Sequence, residues 1–528
     1  MKSSFYKLIV FLLVFATACT DLDLQPGGSA VPGVFFEDEA SYRQFIARVY
    51  SGLAVTGQQG PAGAADISSL DEGFSNYLRQ YWQLQELTTE EAVIAWGDVG
   101  LPQLHNHTWT SSNQFVNAMY YRIFFQISMA NEFLRESTTD KLNERGVSAA
   151  IQDDVRHFRA EARFLRALSY WHGIDLFGNV PFYTEDTAIG SDPPRQGSRQ
   201  EVFDFIISEL NAIEADMMEP GMNEYGRADK GALWMLQAKV LLNAEVYTGT
   251  GRYADALAAV NNIIASGQYA LEDNYANLFL ADNNNSGELI FSIPFDGERT
   301  QTWGGMTYLV HAPIGGSMDA VAESVFGVNG GWFGLRTTST LPNLFPDPNA
   351  FPDARALFWT DGQTIDIPEG GISNFNNGYG IQKYKNVTSQ GELGSDLTHP
   401  DNDFPMFRLA DAYLMYVECF VRGGGGDAGT AVGYINMLRE RAYGNANGNI
   451  EEADLDLDFI LAERGRELYW EGHRRTDRIR FGQFSDNGIW PWKGGVPEGQ
   501  ITESYRDLLP IPAAELLANP NLQQNEGY

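Results

Sequence analysis

Apolar residues recur at spacings of three and four along much of this chain, the period of helices that bury one face. Between Phe36 and Leu53 the stripe is Tyr42, Phe45, Ile46, Val49, Tyr50 and Leu53. A second helix, capped by Ser111 or Ser112, carries Tyr120, Ile123, Ile127 and Leu134. A third runs from Asp153 to Asp175, and a fourth, Glu201 to Met217, places Val202, Phe205, Ile206, Leu210 and Ile213 on one side. Residues 229–266 then read as a helix, a Gly-rich turn at Gly249 to Gly251 and a second helix, with alanines where the two approach. That is the pattern of a tetratricopeptide-type hairpin. Another hairpin, turning at Gly423 to Gly426, occupies 409–443, and 458–481 supplies a further helix. Stacked hairpins of this kind build a superhelical scaffold. The predicted fold is mostly α: a tetratricopeptide-like helical superhelix with a large loop-rich insertion carrying short β hairpins.

The periodicity fades between about 271 and 404, where Gly, Asn, Asp and Pro dominate in stretches such as ADNNNSG, FPDPNAFPDAR and GGISNFNNGYG. Irregular segments of this length inside a compact domain tend to carry function. ELIFSIPF at 288–295 and the region of Lys383 to Lys385 predict short hairpins there. No Pro/Ser-rich linker or charged run divides the chain, so it reads as one domain over 36–528. Helical repeats fall at about 36–56, 111–266 and 405–482, and a loop-rich, ligand-binding part at about 57–110 and 271–404.

The first 18 residues change the picture of where the protein works. Lys2 and Lys7, an apolar run from Leu8 to Phe15 and the small residues Ala16, Thr17 and Ala18 make a cleaved signal, too short to span a bilayer. Cys19 at the cut has two readings: an ordinary secretory signal ending beside a cysteine, or a lipoprotein signal whose cysteine is acylated. Cys19 and Cys419 are the only cysteines, and that scarcity favours the second reading. Two or more acyl chains would hold the protein, through a tether at 19–35, to a membrane face. Cys419, in the apolar stretch AYLMYVECF, reads as a small buried residue without a disulfide partner.

A formal net charge of −33 excludes nucleic acid as a natural partner and disfavours polyanionic glycans. Neutral ligands remain, and 11 Trp, 24 Tyr and 32 Phe supply faces on which the apolar C–H side of a sugar ring can lie. Carboxylate pairs such as Glu90-Glu91, Asp153-Asp154 and Glu451-Glu452 read as solvated faces rather than as the two positioned acids of a glycosidase. His105 and His107 flank Asn106 without a metal-ligand pattern, and no phosphate loop is present. Asp282, Asn284 and Glu288 offer oxygens for a structural calcium, although Asn-rich turns form without metal. No other cofactor is expected.

Seven blocks in order carry a resemblance: CTDLDLQP at the mature start, EARFLRALSYWHGIDLFGNVPF at 161–182, GRADKGALWMLQAKVLLNAEVYTG at 226–249, PMFRLADAYLMYVE at 405–418, INMLRERA at 435–442, ERGRELYWEGHRRTDRIRFG at 463–482 and LPIPAAELLANPNLQQNEGY at 509–528. Together they resemble the SusD/RagB family over nearly the whole chain. The resemblance implies a cell-surface, outer-membrane lipoprotein of a Bacteroidetes-type bacterium, involved in polysaccharide utilization and nutrient uptake. It also implies a binder rather than an enzyme, built on a tetratricopeptide-like superhelix. Its partner would be a SusC-like TonB-dependent transporter, over whose mouth it lies as a lid.

VTGQQG, LDEGFSNYLRQ, ELTTEEAVIAWGDVGLPQL, WGGMTYLV and NGGWFGLR further resemble the family's starch-binding member. Carried over residue by residue, Trp96, Trp303 and Trp332 match an aromatic arc that cups glucan, Ile94 stands where a fourth aromatic occurs, and Asp71 and Arg79 match residues that hydrogen-bond sugar hydroxyls. The residues themselves support the three indoles: each lies in a Gly-bounded loop without the periodic apolar neighbours of a core helix. Trp171, Trp234 and Trp470, inside helical stripes, read as core. The expected function is capture of neutral glucan oligosaccharides, of starch or maltooligosaccharide type, for delivery to the transporter. A laminarin-type β-glucan is the alternative ligand. A surface glycoside hydrolase and an assembly protein that binds no sugar are competing classes.

Overall fold

The computed structural model describes residues 35–528 apart from 37, 69, 189, 191 and 346–351. The expected signal, the acylation site Cys19 and the tether up to residue 34 lie outside the described residues. The long helices form where the apolar stripes predict them: Ala40–Ala54, Gln114–Glu136, Ala149–Phe177 and Arg199–Ile213, then Lys230–Leu242 with Tyr253–Ala265, and Leu409–Val421 with Ala428–Tyr443. Each packs on its predecessor in turn. Helix Tyr253–Ala265 also packs on Leu409–Val421, so the scaffold continues directly across everything between them. The 271–404 stretch is therefore an insertion into a continuous helical stack. Strand Leu289–Ile293 pairs antiparallel with Phe404–Arg408 and closes its neck.

Four local expectations need correction. The cap of Gln114–Glu136 is Asn113, whose side chain accepts from the N–H groups of Phe115 and Val116, while the Ser112 hydroxyl is engaged with Thr110. Residues 405–408 are strand rather than the start of a helix, because Arg408 stays extended until Leu409. The helix read over 458–481 is two, Leu457–Leu468 and Arg474–Arg480. Between them Trp470 takes a positive φ, its backbone and indole N–H groups both donating to Glu91. The 57–110 region, read as loop, holds the helix Tyr77–Glu86, buried on every side. Its buried Arg79, Gln80, Gln83, Gln85 and Glu86 hide it from an apolar-periodicity reading.

One core cluster runs from Phe36 to Leu522. Within it, charge is buried in pairs. Arg408 donates to Glu288, Glu467 and Glu471, and Arg355 to Asp353, Glu463 and Glu467. Lys383 pairs with Glu471, and Arg464 with Asp411 and Asp477. Burial alone would raise the Glu463 carboxyl, but Arg355, Arg466 and Arg439 bring it down to about 2. This lattice explains the ERGREL…RRTDRIR block: its charges face inward and tie the last helices to the strands at the insertion neck. Trp171 and Trp470 are core as expected, whereas Trp234 is half-buried and donates to Glu214. Cys419 is buried, and that burial pushes its thiol up.

Candidate functional site

Two short strands, Val93–Ile94 and Leu335–Arg336, pair antiparallel, and the Ala95 N–H donating to the Gly334 carbonyl extends the ribbon by one step. The ribbon delivers Trp96 and Trp332 side by side at one end. The Trp96 indole N–H donates to the Trp332 carbonyl at 3.0 Å. Glycine is required beside both: a Cβ on Gly334 would stand 2.7 Å from the Trp96 ring, and one on Gly331 2.2 Å from the Ile314 carbonyl oxygen. The Trp332 ring lies on His311, centroids 4.9 Å apart and planes within 19°. His311 in turn bridges the Gly330 and Thr398 carbonyls.

Trp303 completes the row from the insertion. Its backbone N–H donates to Glu72, whose other oxygen accepts from the Thr302 hydroxyl, so the buried-helix region and the insertion are clamped at this residue. Trp303 is 41% exposed; Trp96 and Trp332 are half-buried. Trp332 sits in the middle, 6.3 Å from Trp96 and 6.3 Å from Trp303, with adjacent planes tilted by 41° and 48°. The three indoles thus form a contiguous shelf whose faces turn from ring to ring.

Arg79 stands behind this shelf, only 3% exposed. Its guanidinium lies 4.2 Å from the Tyr308 ring, 4.6 Å from Phe74 and 5.9 Å from Trp96. Nη1 donates to the Trp303 carbonyl at 3.5 Å, while Nε and Nη2 have no hydrogen-bond partner among the described residues. Burial pulls its pKa below the ordinary arginine value, against Tyr308, Asp71, Asp98 and Glu72. Asp71 is exposed at the start of the turn before Tyr77–Glu86. Such an arrangement offers stacking faces for apolar ring surfaces, an exposed carboxylate acceptor and a guanidinium that supports the shelf from below.

Several sequence expectations do not join this site. Ile94 is fully buried and adds nothing to the shelf. The calcium candidates are engaged elsewhere: Glu288 is buried between Arg408 and Arg441, and Asp282 accepts from the Ser389 N–H and hydroxyl. Among the described residues no group of three or more His, Cys, Asp or Glu could hold a metal. His107 packs against Trp109 and Phe484 and bonds the Thr88 carbonyl, a structural role. Glu90 and Glu91, read as a solvated pair, are buried; Glu90 takes Arg474 and Arg478, and its carboxyl falls to about 2 although burial opposes this.

The residues that sequence reasoning missed are His311, His399 and Glu72, which hold the indoles, and Phe333, 43% exposed next to Trp332 in a positive-φ conformation. The aromatic step in GGWFG was the available signal for Phe333. The others act through contacts with distant segments and leave no local trace.

Residues 353–528 match the profile of the SusD family. Over the whole length of both chains, the protein is 35% identical to the starch-binding protein SusD of Bacteroides thetaiotaomicron and 26% identical to the SusD-like protein P25 of Formosa agariphila. Among solved structures, it resembles surface glycan-binding protein A from Bacteroides thetaiotaomicron in complex with laminarihexaose. The TM-score is 0.68 at 20% identity, covering 92% of this chain and 98% of that one. A SusD superfamily protein from Parabacteroides distasonis gives a TM-score of 0.70 at 21% identity, covering 93% and 99%.

Proposed function

The chain belongs to the SusD family, and from that premise we propose that it is a surface glycan-binding protein that captures neutral glucan oligosaccharides of the starch type and passes them to a partner TonB-dependent transporter. Members of the family bind glycans and do not cleave them. The observation that carries the reading is the row of three neighbouring indoles, 6.3 Å apart and successively tilted. A flat glycan ribbon would call for coplanar rings; tilted faces suit a chain that curves. With a net charge of −33, an uncharged glycan is the ligand that approaches without repulsion.

The relative named for starch binding is 35% identical over the full length, which favours an α-1,4-glucan; the neighbour solved with laminarihexaose keeps a laminarin-type β-glucan as the alternative. Acylation at Cys19 would hold the protein at the outer-membrane surface, and no described helix is long and apolar enough to cross a membrane. Stacking contributes on the order of 1 kcal/mol per ring beyond burial, so three rings give a modest affinity that permits release. Isothermal titration with maltoheptaose, laminarihexaose and an acidic polysaccharide tests the reading. Saturable heat with maltoheptaose and none with the polyanion is expected. Silence towards both neutral glucans would remove the starch-type reading and its laminarin-type alternative.

A further inference from the structure

A cavity of about 460 Å³ shares no residue with the indole shelf. It is framed by helix Gln114–Glu136, by Tyr183, Pro193 and Pro194, and by the C-terminal helix Ala513–Ala518. Residues 120, 124 and 135 fall on one helical face, with Tyr121 beside them. The Tyr120 ring lies 4.6 Å from Phe124 and 6.1 Å from Tyr121. Tyr121 and Phe124 are half-buried and line the cavity.

Polar groups converge on the same cavity. Tyr120 is 1% exposed, yet its hydroxyl has no hydrogen-bond partner among the described residues. Glu515, Tyr121 and Tyr183 line the cavity around that ring. Arg135 lines it too, its Nε on Glu132 and its Nη1 on the Glu185 carbonyl. A purely apolar occupant would strip water from Glu515 and Arg135 without replacing its hydrogen bonds, and an anion would meet Glu515. A neutral polyol with one apolar face satisfies both the rings and the rim.

We propose that this cavity is a second saccharide site, which takes one or two sugar units of a neutral glycan by stacking on Tyr121 and Phe124 and hydrogen-bonding to Glu515 and Arg135. Its volume lies in the range of small-ligand sites and matches one or two sugar units. The ligand class rests on the glycan-binding reading above; the existence of the site rests on this cavity alone.

The test uses the full chain with the shelf removed by Trp96→Ala, Trp303→Ala and Trp332→Ala, titrated with maltose and, in a second arm, laminaribiose by saturation-transfer NMR. Retained saturable binding of at least one disaccharide is expected, weakened about tenfold when Tyr121→Ala or Glu515→Ala is added, as loss of a stacked ring or a charged acceptor implies. Tyr121 and Glu515 are both half-buried, and a melting curve for each variant excludes unfolding. A crystal soaked in the same disaccharide provides a second readout, density between Tyr121 and Glu515. The proposal is overturned if the shelf variant ignores both disaccharides at concentrations on the order of 10 mM while the wild type binds maltoheptaose. It is also overturned if binding by the shelf variant is indifferent to both cavity substitutions. Wild-type silence towards every glucan is a different result, because it removes the shelf reading and the ligand class together.

Discussion

The lattice around Arg408 and the shelf around Trp332 invert the usual placement of residues. In the lattice, Arg408, Arg355, Glu463 and Glu467 are charged and wholly enclosed; on the shelf, Trp303 and its neighbours are large and apolar yet reach solvent. Every guanidinium nitrogen of Arg408 and Arg355 donates to a carboxylate, so these two have nothing left to offer a ligand. The shelf leaves ring faces uncovered, and behind it two Arg79 nitrogens without partners. Binding capacity lies where groups are left unsatisfied, and rigidity where they are satisfied.

Substitutions should separate the two regions. Arg408→Ala has the largest expected effect: it leaves Glu288, Glu467 and Glu471 short of a buried partner and should cost about 3–5 kcal/mol in urea unfolding. Glucan affinity of the fraction that stays folded should be unchanged; a stable Arg408→Ala protein would break the comparison. Trp332→Ala should show the opposite pattern, a loss of about 2 kcal/mol in binding, roughly thirtyfold, measured by titration with maltoheptaose. Gly334→Ala should cost less, about 1 kcal/mol in binding, because its Cβ at 2.7 Å displaces the Trp96 ring without touching the lattice.

The smallest effect concerns pH. Burial raises Glu86 well above the ordinary glutamate value, aided by Glu91, and raises Glu91 despite Arg474. A carboxyl that holds its proton longer when folded adds stability below its unfolded value of about 4.3 and loses that contribution as pH rises. Glu91→Gln should therefore flatten the decline in melting temperature between pH 5 and pH 8. Glu90 and Glu463, both near 2 when folded, act in the reverse sense: their contribution is present above the unfolded value and is lost as the pH falls towards 2.

The helical stack was legible because one-faced helices write their period into the chain. The helix Tyr77–Glu86 was not, since its polar residues are buried by neighbours that sequence order does not place beside it. Glu90 and Glu91 misled for the same reason: two adjacent acids look solvated until Arg474, Arg478 and the Trp470 N–H come in from almost 400 residues away. The shelf lay between these extremes. Gly-bounded tryptophans and a resemblance pointed to Trp96, Trp303 and Trp332, but their adjacency depends on the Val93–Ile94 ribbon and the Glu72 clamp, which pair distant segments. Ile94, which stands where a fourth aromatic occurs in the resemblance, is core and adds no ring.

Isothermal titration with maltoheptaose, for the wild type and for the Trp96→Ala, Trp303→Ala, Trp332→Ala variant, tests the central claim most directly. Saturable heat in the wild type and none at the same glucan concentrations in a variant with unaltered melting temperature is predicted. A folded variant that binds maltoheptaose as tightly as the wild type would contradict it.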